Sequence, residues 1–428
     1  MTSKQSNRRR FLKETAALAG LAAGAARLGD AQTQAGNAGE GTERDLHAYG
    51  ERSRFVTSTR LGTNGNSERF RKGKTSYQGG PRSPLQDQVG IITPTSLHYI
   101  VNHSYETLDI DPREHRLLIH GLVDRPMVFT VEELKRLPSV SRIHFVECRA
   151  NGNPNLPQRR LPDATVQLTH GLTSCSEWTG VPLSLLLKEA GLKSAASWIL
   201  AEGADQPKHT KSIPIEKAMD DVLVAYGQNG EAVRPEQGYP LRLLVPGWQG
   251  INGVKWLRRI KLVDQPYMTR AETTQYVEAR RDGTMRWFMS EFGPNSVITR
   301  PSGGQRLPGR GFYEITGLAW SGGGIIKRVE ISTDGGKTWK DAQIQGPVHR
   351  KAHTRFSFSW NWNGEEHRLQ SRSTEEGGGV QPTVAGITKF LNLGPENFRP
   401  PAGMIGNFNA IQTWKVNRDG SVGNALFS

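Results

Sequence analysis

The stretch QGYPLRLLVPGW, at residues 237–248, carries the strongest fold signal of the chain. Its middle, LRLLV, is a short apolar run between turns that contain proline and glycine, which predicts a buried strand. The strand carries Arg242, and a glycine-rich loop follows it as far as Lys255. Because arginine offers a planar fork and lysine a point charge, strand and loop could hold a phosphate from two sides. A buried strand followed by a solvated basic loop accounts for the same residues equally well.

Strand and helix signals alternate on both sides of this stretch. Further strands are predicted at residues 116–121, 142–147 and 198–201, and short helices at 130–134 and 182–191. Beyond about residue 290 the signals are almost wholly strand and turn. The sequence therefore predicts the fold class α+β: a mixed α/β domain over residues 86–280, followed by an all-β immunoglobulin-like sandwich over residues 290–428.

The N-terminal 85 residues differ in character from the rest. An arginine run at 8–10 precedes an uncharged alanine- and glycine-rich run, so residues 1–31 are predicted to be a twin-arginine signal peptide. A basic amphipathic helix is the alternative, whereas a membrane span would need about 20 apolar residues. Residues 32–85 are rich in small and polar residues and are predicted to form a flexible or wrapping arm. We therefore expect export to the periplasm by the twin-arginine route.

Charge and cysteine content limit the classes of function. The net charge is +14, but the basic residues are scattered and accompany no nucleic-acid recognition motif. Anionic substrates or an acidic protein partner suit this charge better. The two cysteines, Cys148 and Cys175, are too few for a disulfide scaffold. The sequence alone does not decide whether one disulfide joins them. No Cys-x-x-Cys-His run is present, so no haem is expected on this chain.

Cys148 lies where the strand at 142–147 runs into a loop rich in glycine, asparagine and proline. Loops at strand ends commonly carry functional groups. A thiolate there would be a soft ligand for a transition metal, and the neighbouring Arg149 would favour its ionisation. An inert, buried cysteine is the alternative interpretation.

Four separated runs together resemble the sulfite-oxidase family of molybdenum enzymes, over about residues 86–416. They are the Glu147-Cys148 turn, GLTSCSEWTG at 171–180, residues 239–257, and AWSGGG at 319–324 with DGGKTW at 334–339. Within the family, LVAYGQNG at 223–230 and NAIQTW at 409–414 are similar to the SoxC subgroup, the molybdenum subunits of sulfane dehydrogenases.

The resemblance implies a molybdenum-molybdopterin cofactor with Cys148 as the thiolate ligand of the metal. Tyr276 and Trp178 correspond, with Cys148, to the catalytic residues of the pocket. The implied cofactor-binding residues are His103, Cys148, Asp205, Arg242, Gly253, Val254 and Lys255.

Departures from the family pattern point to the substrate. Sulfite oxidases hold sulfite with arginines, whereas Val101, Asn153 and Asn407 stand at the corresponding positions, and Gln237 replaces a histidine near the cofactor. A pocket without those cations favours a sulfur atom presented on a carrier protein.

We therefore expect oxidation of carrier-bound sulfane sulfur, with electrons passed to a separate, SoxD-like c-type cytochrome. We also expect a dimer formed through the C-terminal domain, without nucleic acid and without a membrane span. The alternatives are a sulfite dehydrogenase, which would act on a small sulfur oxyanion, and an exported, non-catalytic binding module in which Cys148 is structural.

Overall fold

The computed structural model describes residues 48–62, 80–104, 106–152, 161–206, 208–274, 276–279, 284–288, 291–390 and 408–427. The chain divides into two compact units, Met1–Thr57 and Ser58–Ser428. The described residues of the first unit, 48–57, form turns without helix or strand. The predicted signal peptide lies outside the described residues, as do Asn153 and Asn407. Among the residues that are described, no helix is long and apolar enough to cross a membrane.

Short helices and strands alternate in the first part of the second unit. The α-helices are α1 Val131–Lys135, α2 Val166–His170, α3 Leu183–Ala190, α4 Ile215–Asp220 and α5 Arg270–Thr274. The strands are β1 Arg116–Gly121, β2 Met127–Thr130, β3 Val140–Glu147, β4 Thr173–Pro182, β5 Trp198–Gly203, β6 Thr210–Pro214, β7 Leu223–Gln228, β8 Glu231–Ala232, β9 Arg242–Leu244, β10 Leu257–Val263, β11 Glu278–Ala279 and β12 Met285–Arg286. Turns of 3-10 helix lie at Leu85–Asp87, Thr95–Leu97, Pro235–Gln237 and Gly250–Asn252.

Two sheets hold this part together, the first mixed and the second wholly antiparallel. One has the order β2-β1-β10-β5-β6, in which β1 and β10 run parallel, and the other has the order β3-β4-β7-β8, with β9 paired to β7. Helix α1 begins and helix α3 ends at the capping residues that the sequence predicted. Thr130 and Glu133 form a capping box at α1, and Gly191 ends α3 with a φ of 74°. The apolar face of α3 and the inward sides of both sheets share one hydrophobic core.

The C-terminal part is a sandwich of two antiparallel sheets. Its strands are β13 Asn295–Arg300, β14 Gly311–Trp320, β15 Ile326–Ser332, β16 Lys340–Asp341, β17 Gln343–Gln345, β18 Thr354–Trp362, β19 His367–Glu375, β20 Thr413–Val416 and β21 Val422–Asn424, with α6 at Val384–Phe390. One sheet has the order β13-β14-β18-β17 and the other the order β16-β15-β19-β20-β21. Trp320, Phe356 and Trp414 fill the space between them. The predicted fold class is confirmed; the exact domain limits stay a prediction.

The seam between the α/β part and the sandwich is tightly packed. Phe145 donates its backbone N–H to the Lys351 carbonyl oxygen at 2.9 Å. A Cβ atom on Gly322 would overlap the carbonyl oxygen of Gly247, so the glycine lets the two backbones approach. The carboxylate of Glu147 accepts from the indole Nε1 of Trp320 at 2.7 Å. The strand that leads to Cys148 is therefore fixed by residues of the sandwich.

Buried histidines make the fold sensitive to acid. Burial lowers the pKa of His144 to about 4 and the pKa values of His170 and His353 to about 3. At a pH between these pKa values and the ordinary value of 6.5, the three histidines are protonated in the unfolded chain but neutral in the folded chain. The free energy of unfolding therefore falls as the pH falls. From pH 7 to pH 5 each histidine should cost about 2 kcal/mol, or about 6 kcal/mol together. Burial also raises the pKa of Glu147 to about 7, which offsets about 2 kcal/mol.

Urea midpoints measured at pH 7 and pH 5 would test this expectation. The midpoint should fall with pH, and His353→Gln should reduce the slope because one titrating group is removed. A midpoint that is unchanged over this range would contradict the expectation.

Candidate active site

A pocket with about 580 Å³ of space, part of it open to solvent, lies in the α/β part. Its lining residues are Tyr99, Val101, Asn102, His103, Cys148, Arg149, Asp205, His209, Gln237, Arg242, Gly250, Ile251, Gly253, Lys255, Trp256 and Tyr276. The pocket thus brings together predicted site residues that lie up to 173 positions apart in the chain, as His103 and Tyr276 do. Two predicted site residues, Trp178 and Val254, do not line it.

Cys148 follows β3 directly, and it lines the pocket. Its backbone N–H donates to the Leu172 carbonyl at 2.9 Å, and its own carbonyl accepts from the Asn151 N–H at 2.9 Å, which fixes the loop. Both cysteines are free thiols, so no bridge joins Cys148 to Cys175. Arg149 favours the Cys148 thiolate as predicted, but burial has the larger effect and raises the pKa of the thiol.

The described residues include no group of three or more His, Cys, Asp or Glu side chains that could hold a metal ion. Cys148 is therefore a single soft ligand, and a metal bound to it must bring its other ligands with it. A metal held by the sulfur atoms of an organic cofactor meets this condition.

Arg242 and Lys255 form a cationic pair, in which Arg242 is buried and Lys255 is half-buried. Arg242, which begins β9, donates through Nη1 to Gln237 Oε1 at 2.9 Å. Lys255 Nζ donates to the Glu236 carbonyl oxygen at 2.7 Å and to the side-chain oxygen of Asn102. Burial lowers the pKa of Arg242 to about 10 and holds the pKa of Lys255 well below its ordinary value. An anion in the pocket would favour the charged form of both.

Trp178 and Gly253 shape the surroundings of Arg242. The Arg242 guanidinium carbon lies 5.1 Å from the centroid of the Trp178 ring. Trp178 is completely buried and donates through Nε1 to the His144 carbonyl at 3.3 Å, so it supports the arginine from behind the pocket. A Cβ atom on Gly253 would lie 3.3 Å from Arg242 Nη2, so a side chain there would crowd the guanidinium. Val254 is completely buried in the core.

His103, His209 and Tyr276 form an aromatic wall. The rings of His103 and His209 stack at 5.4 Å, and the Tyr276 hydroxyl lies 3.1 Å from His103 Nε2. The Ile251 carbonyl can only accept, so His209 donates to it through Nε2, at 2.9 Å. Burial lowers the pKa of His103 to about 3, which leaves its ring neutral. Asp205 accepts from the His209 backbone N–H at 3.1 Å and so orders the turn between β5 and β6.

The sequence did not predict His209 or Tyr99 as pocket residues. His209 stands four residues after Asp205, and a tight turn between β5 and β6 would have placed the two together. Tyr99 follows an irregular segment and carries no local signal. The sequence indicated Gln237 only as a departure from the family pattern. Gln237 donates through Nε2 to the Tyr99 carbonyl at 2.8 Å and accepts from Arg242, so it joins the pocket wall to the arginine.

The chemistry of the pocket fits an anionic, oxygen-rich group. Arg149, Arg242 and Lys255 line it against the single carboxylate of Asp205. Arg242 Nε and Asn102 Nδ2 are buried donors that bind no acceptor among the described residues. Buried donors of this kind call for an acceptor, and phosphate oxygens would supply it. The residues present therefore fit a molybdopterin cofactor, with Cys148 at the metal and Arg242, Lys255 and Asn102 at its phosphate.

Comparisons with known families agree with this fit. Residues 103–271 match the model of the oxidoreductase molybdopterin binding domain, and residues 286–390 match the Mo-co oxidoreductase dimerisation domain. The second match supports dimer formation.

Among curated proteins, the chain is 34% identical over 327 residues to an NADH nitrate reductase of Brassica napus (clone PBNBR1412), covering 68% of this chain and 35% of that protein. It is 33% identical to NADH nitrate reductase 1 of Arabidopsis thaliana, covering 68% of this chain and 34% of that protein. The chain thus spans about a third of the length of these relatives.

Among solved structures, the chain is similar to the sulfane dehydrogenase SoxCD from Paracoccus pantotrophus. The TM-score is 0.81 and the sequence identity 38%, over 90% of this chain and 95% of that one. The two domain matches and this structural likeness, together with a cysteine and a cationic pair in one pocket, show that the chain belongs to the sulfite-oxidase family of molybdopterin oxidoreductases and is a SoxC-like protein.

Proposed function

We propose that this oxidoreductase oxidises sulfane sulfur bound to a carrier protein and passes the electrons to a c-type cytochrome in the periplasm. The observation that carries the proposal is Val101. It lines the pocket at a position where the resemblance to sulfite oxidases would place an arginine. An aliphatic side chain gives no charge-assisted contact to a free sulfur oxyanion. A tethered sulfur can instead gain its binding energy from the surface of the carrier.

The bound cofactor would supply two-electron redox chemistry and oxygen transfer at sulfur. Complete oxidation of a persulfide, R–S–S⁻, to a thiosulfonate, R–S–SO₃⁻, takes three water molecules. It releases six protons and six electrons, which a c-type cytochrome accepts one at a time. The similarity to the sulfane dehydrogenase SoxCD supports this assignment, and the arginine run at 8–10 supports export.

The residues of the chain position the reactants. Cys148 would hold the metal at one place, because both its backbone N–H and its carbonyl are hydrogen-bonded. Arg242 and Lys255 would bind the phosphate. Tyr276 and the neutral His103 share a hydrogen bond, so this pair would hold a proton at the phenol oxygen in the pocket.

Steady-state kinetics on two substrates would test the proposal. The unmodified, molybdenum-loaded enzyme should show a much higher kcat/KM for a persulfide-loaded carrier protein than for free sulfite, with cytochrome c reduction as the readout. Val101→Arg should raise kcat/KM for sulfite about ten- to a hundredfold, the value of one charge-assisted contact. Val101→Gln, polar but uncharged, is the matched control and should change it little.

Efficient saturation of the unmodified enzyme by micromolar free sulfite would refute the carrier substrate. It would favour the second candidate function, a sulfite dehydrogenase, for which Arg149 supplies one cation in the pocket. A molybdenum content near zero in correctly exported protein would leave only the non-catalytic binding module.

A further inference from the structure

A closed ring of hydrogen bonds holds the loop that carries Cys148. The backbone N–H of Cys148 donates to the Leu172 carbonyl oxygen at 2.9 Å, and the Leu172 N–H donates to Oδ1 of Asn151 at 3.0 Å. The Nδ2 of Asn151 donates in turn to Oε1 of Glu147 at 2.8 Å. Glu147 directly precedes Cys148 in the chain, so the peptide bond between them completes the ring.

The two polar side chains of this ring are buried behind the pocket. Asn151 is 3% exposed and Glu147 is 1% exposed, and neither of them lines the pocket. The second oxygen of Glu147, Oε2, accepts from Trp320 Nε1 at 2.7 Å, so both oxygens of the carboxylate have a donor. An effect of Glu147 or Asn151 on a group bound in the pocket therefore has to pass through the Cys148 loop.

The ring also closes a turn that directs a backbone donor at the sulfur of Cys148. The Asn151 N–H donates to the Cys148 carbonyl oxygen at 2.9 Å, which makes residues 148–151 a β-turn. Burial raises the pKa of the Cys148 thiol, and a hydrogen bond from the backbone of Ala150 opposes this by lowering it. A hydrogen bond to a metal-bound thiolate favours the reduced, more electron-rich state of the metal. The closed turn therefore acts on the electronic properties of the sulfur as well as on its place.

We propose that Glu147 is a positioning residue that acts through Asn151: it keeps the turn closed, so that the Ala150 N–H stays directed at the metal-binding sulfur and raises the reduction potential of the molybdenum. This role rests on Cys148 as the metal ligand in the proposed function, and not on the identity of the substrate. The amide of Asn151 can donate to a carboxylate and accept from a backbone N–H at the same time. The carboxylate of Glu147 is its complement, because it only accepts.

Exchanging the acid and the amide would test this role. Glu147→Gln leaves one acceptor oxygen for two donors, and Asn151→Asp sets two carboxylates against each other, so each single change breaks the ring. The double variant with both changes keeps every hydrogen bond, because the amide at position 147 donates to the acid at position 151. We therefore expect both single variants to lower the reduction potential and the double variant to restore it.

The measurement is a redox titration of the molybdenum-loaded enzyme, followed by the electron paramagnetic resonance signal of the metal. At a fixed potential, the ratio of reduced to oxidised metal should fall about three- to tenfold in each single variant, the value of one neutral hydrogen bond. The double variant should recover most of this loss. Amide hydrogen exchange of residues 148–151 in the cofactor-free chain should rise in the single variants and return in the double variant.

Asn409→Asp is the matched control for the general cost of placing an acid at a buried asparagine. Asn409 is 8% exposed, its Nδ2 donates to the Pro294 carbonyl oxygen at 2.8 Å, and it does not line the pocket. This change should lower Tm and leave the potential unchanged. An unchanged potential in both single variants, a double variant as low as the single variants, or an equal shift in Asn409→Asp would each overturn the proposed role. If a single variant binds no molybdenum, unchanged amide exchange at 148–151 would overturn it.

None of these measurements uses a sulfur substrate, so failure of the proposed function is distinguishable from failure of this role. A potential that follows the ring in an enzyme that does not turn over a persulfide-loaded carrier would remove the function and leave Glu147 as a positioning residue. Turnover of the carrier together with a potential that is the same in all variants would do the reverse.

Discussion

Replacing Cys148 with serine should reduce turnover to less than a few per cent of the unmodified rate. The alcohol has nearly the volume of the thiol but is a much poorer ligand for a soft metal. No other cluster of metal ligands among the described residues could take over, so the loss should not be rescued. Cytochrome c reduction by exported, folded protein is the measurement, with Tm and molybdenum content determined on the same sample.

Cys175→Ser is the matched control for this change. Cys175 is completely buried at the seam, where its Sγ accepts from the His353 N–H at 3.5 Å, and it does not line the pocket. A serine hydroxyl can accept the same hydrogen bond, so most activity should remain. If Cys175→Ser were as damaging as Cys148→Ser, the distinction between metal ligand and packing residue would be wrong. More than a few per cent of activity in Cys148→Ser would exclude the ligand role.

Arg242→Ala and Lys255→Ala should each lower the amount of cofactor bound rather than the rate of each loaded enzyme. A lost charge-assisted contact to phosphate costs about 1.5–3 kcal/mol, which corresponds to a ten- to hundredfold loss of affinity. Molybdenum per chain and activity per molybdenum are the two measurements. The first should fall and the second should stay near the unmodified value.

Lys217→Ala separates this effect from the general cost of removing a buried lysine. Lys217 is also buried, but its Nζ binds Asp221 at 2.6 Å, at the end of α4. Its loss should lower Tm and leave the molybdenum content of the folded protein unchanged. If Arg242→Ala or Lys255→Ala kept its full molybdenum content but turned over slowly, these residues would have a role in catalysis and not in cofactor binding.

Local sequence patterns predicted the elements that carry the site. The apolar run at 241–245 contains β9, with Arg242 at its start, and Cys148 lies directly after β3. The glycine-rich loop after β9 made it possible for Arg242 and Lys255 to hold one anion from two sides, the family resemblance favoured this arrangement, and both residues line the pocket. These predictions succeeded because the strand, the loop and both cations lie within 15 consecutive residues, where periodicity and turn signals are informative.

Contacts between distant segments were not predictable in the same way. Arg149 stacks on Tyr276, which lies in another part of the chain, and no periodicity relates the two. The sequence indicated that the arginines of sulfite oxidases are missing at positions 101, 153 and 407, but it did not indicate that Arg149 lines the pocket. Trp178 shows the opposite case, since its motif resembles that of a pocket residue but its ring lies behind Arg242. The direction of a side chain across a sheet depends on which strands pair, and the local patterns of a single sequence do not reveal that pairing.

The contact between Glu147 and Trp320 limits how freely the two domains can be exchanged between relatives. Glu147 immediately precedes Cys148, and its carboxylate accepts a hydrogen bond from the indole of Trp320 in the other domain. A chimera that joins this α/β part to a foreign sandwich would leave a buried carboxyl group without one of its two donors unless a tryptophan stood at the same place. Chimeras within the family should therefore fold well only if they keep both the glutamate and the tryptophan. Without this pair, the two domains should not be interchangeable.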